Sequence, residues 1–523
     1  MPILTPEYHT IEEFVLRSAK LRDIREAGIE PYPAPRLERT PIILLTSKYS
    51  ENPVGHSEDA EKGTTESVTC AGRLVLFRSM GKNAFGHIQD ESGRIQFMLN
   101  RDATQLAGFV PQEGVPPLKF IEKKIDLGDI ISIEGNLFRT QKGELTIFVK
   151  KLTLLCKTLL PMPDKHSGLV DKGVRYRKRW LDLMCNLDVA TTFRIRSSIF
   201  QQTREFFEQY GFLEVETPIL QNVYGGAAAK PFTTHLNALD QKMFLRISLE
   251  IPLKKLIVGG MDKVFEIGKV FRNEGIDKTH NPEFTLLEAY AAHWDYNDMM
   301  VLAETLFESI ALKLFGTTEL LIARDGVEHL VDVKAPWKRL SMRESIQVYA
   351  GITVEGKSCE ELRQIVKEKT GVDPATINQA TIGTLTANLF EELVEKHLIQ
   401  PHHIIDHPIE TTPLCKPHRD KKLREIGLVE RFESFIVGGE FCNSYTELND
   451  PELQRELLVA QAEKNMSGDE EASPLDEEFI ESICQGMSPA AGIGFGMDRL
   501  VMLFTKAASI RDVLYFPLMR QEE

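Results

Sequence analysis

The stretch FRNEGIDKTHNPEFTLLEAYAAHW, residues 271–294, constrains this chain more than any other. Its apolar residues read as two strands around a turn, with Arg272, Glu274, His280 and Glu288 set among them. Side chains alternate between the two faces of a strand, and unpaired charge on a buried face is costly. A hairpin holding this many charges therefore touches something charged.

The neighbouring sequence repeats the theme. Residues 243–271 give two more apolar runs with single charges at Arg246 and Glu250. RFESFIVGGEFCNSYTELNDP, residues 431–451, places Glu433, Glu440, Asn443 and Glu447 at spacings of seven, three and four. Odd spacings flip faces, so a bulge near Gly438–Gly439 is expected to realign some of them. AAGIGFGMDRLVMLF, from residue 490, offers three alternating glycines and then Asp498 and Arg499 opening a helical pattern. Alternating glycines let a backbone approach a ligand closely.

Composition sets the outer bounds. The 523 residues are 42% hydrophobic and 27% charged, which fits two or three globular domains and excludes disorder. No apolar run is long enough to span a membrane, and the N-terminus reads as no secretory signal. Seven cysteines without a Cys-x-x-Cys pair are expected as reduced thiols in a cytoplasmic protein. A net charge of −15 argues against a protein that coats nucleic acid, so any RNA must be held on local basic patches.

Residues 11–27 read as an amphipathic helix, with Ile11, Phe14, Val15, Leu21 and Ile24 as its stripe and Arg17, Lys20, Arg22 and Arg25 interleaved. Residues 46–66 read as a polar linker, and 1–66 as an N-terminal helix with that linker. From 67 to 155 about five strand-like runs fit an oligonucleotide-binding (OB) barrel, with Phe85 and Phe97 as candidate base-stacking rings. Residues 156–188 form a basic linker, with Lys172, Arg175, Arg177, Lys178 and Arg179 placed where a phosphate backbone could be gripped. The chain from 189 to 523 mixes long helices with strands, and 317–400 is read as an insertion. The fold class expected is α+β.

Familiar nucleophilic and metal chemistries lack their signatures. The glycine run at 492–496 is not a G-x-x-x-x-G-K-[ST] loop, and there is no G-x-S-x-G elbow. His402, His403, His407, Cys415 and His418 do not make a closed zinc spacing and read as structural histidines near a surface loop. What remains is arginines and carboxylates without a covalent nucleophile, a set suited to nucleotidyl transfer by positioning and charge neutralisation. Arginines fork onto phosphates, carboxylates hold Mg2+, and Phe284 can stack a purine.

VETPIL with Pro218, FRNEG…HNPEFTLLEAY and GIGFGMDRL resemble the three signature motifs of the class II aminoacyl-tRNA synthetases. From about residue 10 to 520 the chain is similar to the lysyl family of that class in its bacterial form. The resemblance implies an antiparallel catalytic sheet flanked by helices, ATP and L-lysine as substrates, Mg2+, tRNA(Lys) as partner, and a homodimer built on the Pro218 segment. It places Arg272 at the ATP α-phosphate and substrate carboxylate, Glu274 at the adenine amino group, and Phe284 under adenine. Arg499 falls at the γ-phosphate with His280 near it, and Glu433 and Glu440 fall at the metal.

For the amino acid, the resemblance puts Glu288 and Glu447 at the ε-ammonium and Glu250 at the α-amino group. Gly226, Tyr290, Asn443 and Tyr445 complete the lining. Three glutamates with no basic partner at the far end favour lysine. In the barrel, Phe85 and Gln96 fall at the central anticodon base, with Arg78 and Glu134 beside them. Two departures stand out. Leu249 replaces a common proline, and Tyr445 a common phenylalanine. The alternatives are an aspartyl or asparaginyl enzyme, a non-catalytic RNA-binding paralogue, and an enzyme that lysylates a protein.

Overall fold

The chain is described by a computed structural model over residues 6–520, apart from 53, 56–64, 112–114, 164–168, 325 and 470. It divides into two compact units, residues 1–190 and 191–523.

The first unit is a closed barrel. Its strands lie in the order Arg94–Asn100, Asn83–Gln89, Val68–Met80, Ile130–Arg139 and Leu145–Cys156, each antiparallel to the next, and Arg94–Asn100 closes the circle by running parallel to Leu145–Cys156. A two-residue strand, Gln105–Leu106, and a helix, Pro117–Lys124, add to the five runs legible in the sequence. The interior is filled by Leu74, Ile88, Phe97, Ile131, Ile133, Ile147 and Val149.

Several sequence readings change here. The N-terminal helix spans Glu12–Glu26, but of the expected stripe only Ile24 is buried, while Ile11 and Val15 are exposed. Arg17 instead is buried and donates to the carbonyl of Leu127 and the hydroxyl of Thr158, and Lys20 pairs with Asp126 at 2.5 Å. The linker begins later than residue 46, because Ile42, Leu45 and Tyr49 pack into the barrel core; residues 56–64 lie outside the described residues. In the basic run, Arg179 is buried and pairs with buried Asp182 at 2.6 Å, while Arg175 reaches the same carboxylate at 2.8 Å. These two arginines answer a buried acid, whose desolvation demands partners. Lys172 and Lys178 are exposed.

The second unit is built on an eight-stranded sheet in the order 338–341, 402–408, 428–436, 439–446, 490–496, 283–292, 263–271, 213–214. The six central strands are antiparallel and the two edge strands pair in parallel. One sheet face is covered by helices Tyr296–Phe315 and Met497–Thr505, through Leu302, Leu306, Phe307, Val501 and Phe504 against Leu287, Phe432, Ile493 and Phe495. The first of these helices starts at a capping box of Asp295 with Asp298 and stops at Gly316, whose φ of +70° suits glycine.

Strands Glu319–Arg324 and Val327–Asp332 pair antiparallel as a separate two-stranded sheet. Residues 338–341 add a strand to the main sheet, so the segment read as an insertion is partly built into that sheet. The helices from Met342 to Leu393 bury their own core of Ile346, Leu362, Val366, Leu385 and Phe390, seated on Ile404 and Phe435 of the sheet.

Candidate active site

The opposite face of the sheet carries the chemistry. On strand Glu283–Ala292 the even-numbered Phe284, Glu288 and Tyr290 share that face, while Leu287, Ala289 and Ala291 join the helix-covered core. Gly494 stands opposite Glu288 and Asn443, and Gly492 opposite Tyr290 and Tyr445. A Cβ on Gly492 would lie 2.3 Å from Glu447 Oε1 and from the Tyr290 ring, so the glycines form a floor on which larger side chains converge. Above it opens a cavity of about 640 Å³.

The expected bulge exists but lies inside the strand pair. The register shifts between Ser434 and Phe435, opposite Phe441, and not at the turn of Val437 and Gly438. That one extra residue turns Glu440 to the face of Glu433 and Asn443; regular alternation would put it with buried Cys442 in the core.

One end of the cavity is acidic, lined by Glu250 and Glu288. Glu288 is buried and accepts from Ser248 Oγ at 3.0 Å, the Leu249 amide at 2.9 Å and the Tyr290 hydroxyl at 3.1 Å. Burial, and then the charge of Glu250, pushes its carboxyl up to about 7 against those hydrogen bonds. Glu250 opens the helix Glu250–Val258 and accepts from the Tyr445 hydroxyl at 2.7 Å. Both departures from the family pattern therefore add a donor to an acidic group: proline at 249 would have no amide for Glu288, and phenylalanine at 445 no hydroxyl for Glu250. Gly226, at φ +87° with its Cβ direction 2.6 Å from Ser248 Oγ, admits no side chain.

Two findings correct the sequence reading. Glu447 is fully buried and sits behind the cavity wall formed by Tyr290, Tyr445 and Gly492. The acidic end also has a basic partner: Lys254, fully buried, places Nζ 2.5 Å from Glu250 Oε1 and in contact with Glu447 Oε2. Burial alone would push the ammonium down, but the charges of Glu250 and Glu447 more than offset it and hold the lysine protonated.

The other end is more open. Arg272 is half-buried with its guanidinium carbon 5.2 Å from the centre of the Phe284 ring, and Glu274 is exposed at the rim. Arg499, in the first turn of its helix, donates to the Glu440 carbonyl at 2.8 Å and lies 3.1 Å from His280 Nε2. The other His280 nitrogen faces Asp277 at 2.8 Å. Burial would raise the Asp277 carboxyl, yet hydrogen bonds from His280 and Thr279 hold it well below the usual range. Asp498 is tied to Arg196 at 2.6 Å and the Thr285 amide at 2.8 Å, which fixes the helix against the motif hairpin.

Glu433 and Glu440 fit a magnesium ion. They are hard oxygen donors on one face, and burial together with the charge of Glu433 holds the Glu440 carboxyl above its ordinary value, a strain a divalent cation relieves. Glu433 is oriented by Arg431 at 2.5 Å. Among the described residues no group of three or more potential ligands forms a ready cage, as suits a metal completed by phosphate oxygens.

In the barrel, Arg78 pairs across the strands with Phe85, Phe85 with Met98, and Met98 with Phe148, in one row on the face away from the barrel interior, where Met98 and Phe148 are themselves buried. Phe85 packs there beside Met98, Phe138 and Phe148. Gln96 is two residues from Met98 on the same face, bonded to Glu144 at 2.8 Å and Thr146 at 2.7 Å. Glu134 is exposed between Thr69 and Lys151, well along the strand from Phe85. Phe97 is a correction: it is fully buried in the barrel core and faces away from any base.

Sequence reasoning missed Ser248, Lys254 and Arg431. Arg431 stands two residues before Glu433, so strand alternation alone puts both on one face. Lys254 stands four residues after Glu250, a helical spacing that ordinarily marks a surface pair. The histidines are structural but not near a surface loop: His402, His403 and His407 lie in a buried strand, with His403 between Ser434 at 2.7 Å and Glu304 at 3.1 Å.

Two family models match the chain, the class II tRNA synthetases (D, K and N) over residues 171–520 and the OB-fold nucleic acid binding domain over 68–155. A lysine–tRNA ligase of Chlamydia caviae is 54% identical over 521 residues, covering 99% of this chain and 98% of its own. The enzyme of that name from Trichormus variabilis is 44% identical, covering 97% and 87%, and that of Listeria monocytogenes 42%, covering 98% of each. With such a match spanning sheet, motif hairpin and barrel, this chain belongs to the class II tRNA synthetases of the D, K and N group.

Proposed function

We propose that the chain is a lysine–tRNA ligase: it activates L-lysine with ATP and transfers it to the 3′ end of tRNA(Lys). The observation that carries the reading is a single cavity with buried Glu250 and Glu288 at one end, Glu447 behind its wall there, and Arg272, Arg499, Glu433 and Glu440 at the other. An ammonium at the end of a flexible chain needs carboxylates in a closed site, and an anionic side chain would meet repulsion there.

In the first step the lysine carboxylate attacks the α-phosphorus of ATP and pyrophosphate leaves. Arg272 reaches both reactants and neutralises charge growing on the α-phosphate, while Phe284 stacks adenine and Glu274 accepts from its amino group. Arg499, steadied by His280, holds the γ-phosphate end. Glu433 and Glu440 would hold a magnesium ion, which would supply charge neutralisation at the phosphate oxygens. The terminal ribose 3′-hydroxyl then attacks the lysyl carbonyl, and AMP leaves.

The outward row of Arg78, Phe85 and Gln96 suits splayed anticodon bases, which stack on exposed rings; Gln96 would exchange Glu144 for a base edge. Glu134 sits farther off and takes a secondary part. A homodimer through the Pro218 segment agrees with the exposure of Leu213, Ile219 and Leu220 around it. Cytoplasmic work agrees with the free cysteines, and no described helix is long and apolar enough to cross a membrane.

Pyrophosphate exchange across the twenty amino acids tests this. Exchange with lysine alone is expected; exchange with aspartate or asparagine overturns the assignment, and exchange with none favours a non-catalytic RNA-binding paralogue. Charging of tRNA, rather than of a protein, separates the remaining alternative.

A further inference from the structure

A cation walled into the site meant for cations needs an explanation. Lys254 comes from the same helix as Glu250 and is wholly buried, with its ammonium on Glu250 and Glu447 at once and 5.5 Å and 5.8 Å from the ring centres of Tyr445 and Phe479. A buried ammonium pays a large desolvation cost, so a lysine placed here for packing alone would be a poor choice. The count of charge gives it a purpose. Burial holds the Glu288 and Glu447 carboxyls up, against the pull of the Lys254 ammonium on Glu447; once ionised with Glu250 they bring three negative charges, and the proposed guest, held by Arg272 at its carboxylate, brings two ammonium groups to meet them. One internal positive charge makes the balance even.

We propose that Lys254 is a positioning residue of the amino-acid pocket: it ties Glu250 to Glu447 and leaves the three-glutamate site two net negative charges, matched to a guest with two ammonium groups. The inference rests on the lysine reading and deepens it. Glu447 Oε2 meets the Lys254 ammonium as an ion pair, neither of its buried oxygens has a further hydrogen-bond partner, and Oε1 lies toward Gly492 and the Tyr290 ring, the side from which a guest arrives. The remaining titratable groups facing the pair are Glu288, Tyr290, Tyr445 and Cys415; burial holds the tyrosines and the thiol up, so they stay neutral, and Arg431 approaches from the Cys415 side. Without Lys254, three carboxylates share a closed space, and one must carry a proton that a diammonium guest has to expel.

The test is Lys254→Met, near-isosteric and uncharged, in the full chain. Lysine-dependent pyrophosphate exchange should show the lysine KM raised about 30-fold with the ATP KM within about twofold. Between pH 7 and 8.5 the variant's lysine KM should fall about tenfold per unit as the extra proton leaves, with a clearly shallower slope in the unaltered protein. Lys254→Arg, which restores the charge, should recover part of the loss. Equal changes in both KM values, or parallel pH slopes, overturn the inference. Should Lys254→Met not fold, calorimetry on the unaltered protein decides. Lysine binding at pH 8.5, measured in two buffers of different ionisation heat, should release well under about half a proton, and release of a full proton overturns it. If the unaltered protein activates a different amino acid, the parent reading fails first; if it activates lysine and the variant behaves as a general loss, only this inference fails.

Discussion

The two ends of the cavity are built differently. At the amino-acid end Glu250, Glu288 and Glu447 are nearly or wholly buried, and each is held by donors from the protein: Lys254, Ser248, Tyr290, Tyr445 and the Leu249 amide. At the nucleotide end Glu274 and His280 are exposed, and Arg272 and Arg499 are half-buried with few direct partners. A site that must distinguish one side chain from twenty gains from carboxylates fixed before the guest arrives. A nucleotide brings its own charges and a metal, so arginines there can remain loosely held until phosphates order them. The acidic end is a finished mould, and the basic end is completed by its ligand.

Changes that strike both ends should be the most damaging. Arg272→Leu removes the group shared by carboxylate and α-phosphate, and the exchange rate should fall about 10³-fold, read by steady-state kinetics. Glu447→Gln should raise the lysine KM about 100-fold while moving the ATP KM less than about threefold, because it removes one of the two carboxylates that meet buried Lys254 and one negative charge from the acidic end; equal losses would remove its assigned role. Gly492→Ala would press on Glu447 and Tyr290, and should raise the lysine KM about tenfold and lower stability by about 1–3 kcal/mol in thermal unfolding.

The acidic end should also be the pH-sensitive one. Glu288 has its carboxyl raised to about 7, so its proton is retained in the folded state over a range where the unfolded chain has lost it. Its contribution to stability is full below the unfolded value and declines as pH rises through about 7. Lysine binding runs the other way, since an ammonium needs the ionised form; affinity should weaken by up to about tenfold per unit below pH 7, while ATP affinity changes less. The smallest effect belongs to the open end: His280→Ala should raise the ATP KM about two- to fivefold, because Arg499 keeps its bond to the Glu440 carbonyl.

The same contrast governs what the sequence could reveal. The alternation of Phe284, Glu288 and Tyr290 against Leu287, Ala289 and Ala291 is local, and it reads directly as a sheet with one charged face. The glycines at 492, 494 and 496 announce a floor for the same reason. The bulge at Phe441 could be anticipated from the odd spacing of Glu433 and Glu440, but its position could not, since any residue of the hairpin satisfies the parity. Lys254, Arg175 and Arg179 look like surface charges because their partners are recognised only after the chain folds; Glu447 is far away in sequence, and Asp182 offers no sign of being buried. Phe97 and Phe85 sit in similar strand sequence, and only the closure of the barrel decides which ring faces in. Patterns carried by one strand were legible, and pairings across strands and helices were not.

One comparison reaches the central claim, that the acidic end is moulded to a terminal ammonium. It is the ratio of kcat/KM in pyrophosphate exchange for L-lysine against L-2-aminohexanoic acid, the same chain without its ε-amino group. A closed site whose carboxylates would be left unpaired should reject the analogue by about 10⁴-fold or more. Activation of that analogue within about tenfold of lysine would mean that Glu288 and Glu447 do not read the ammonium, and the account would be wrong.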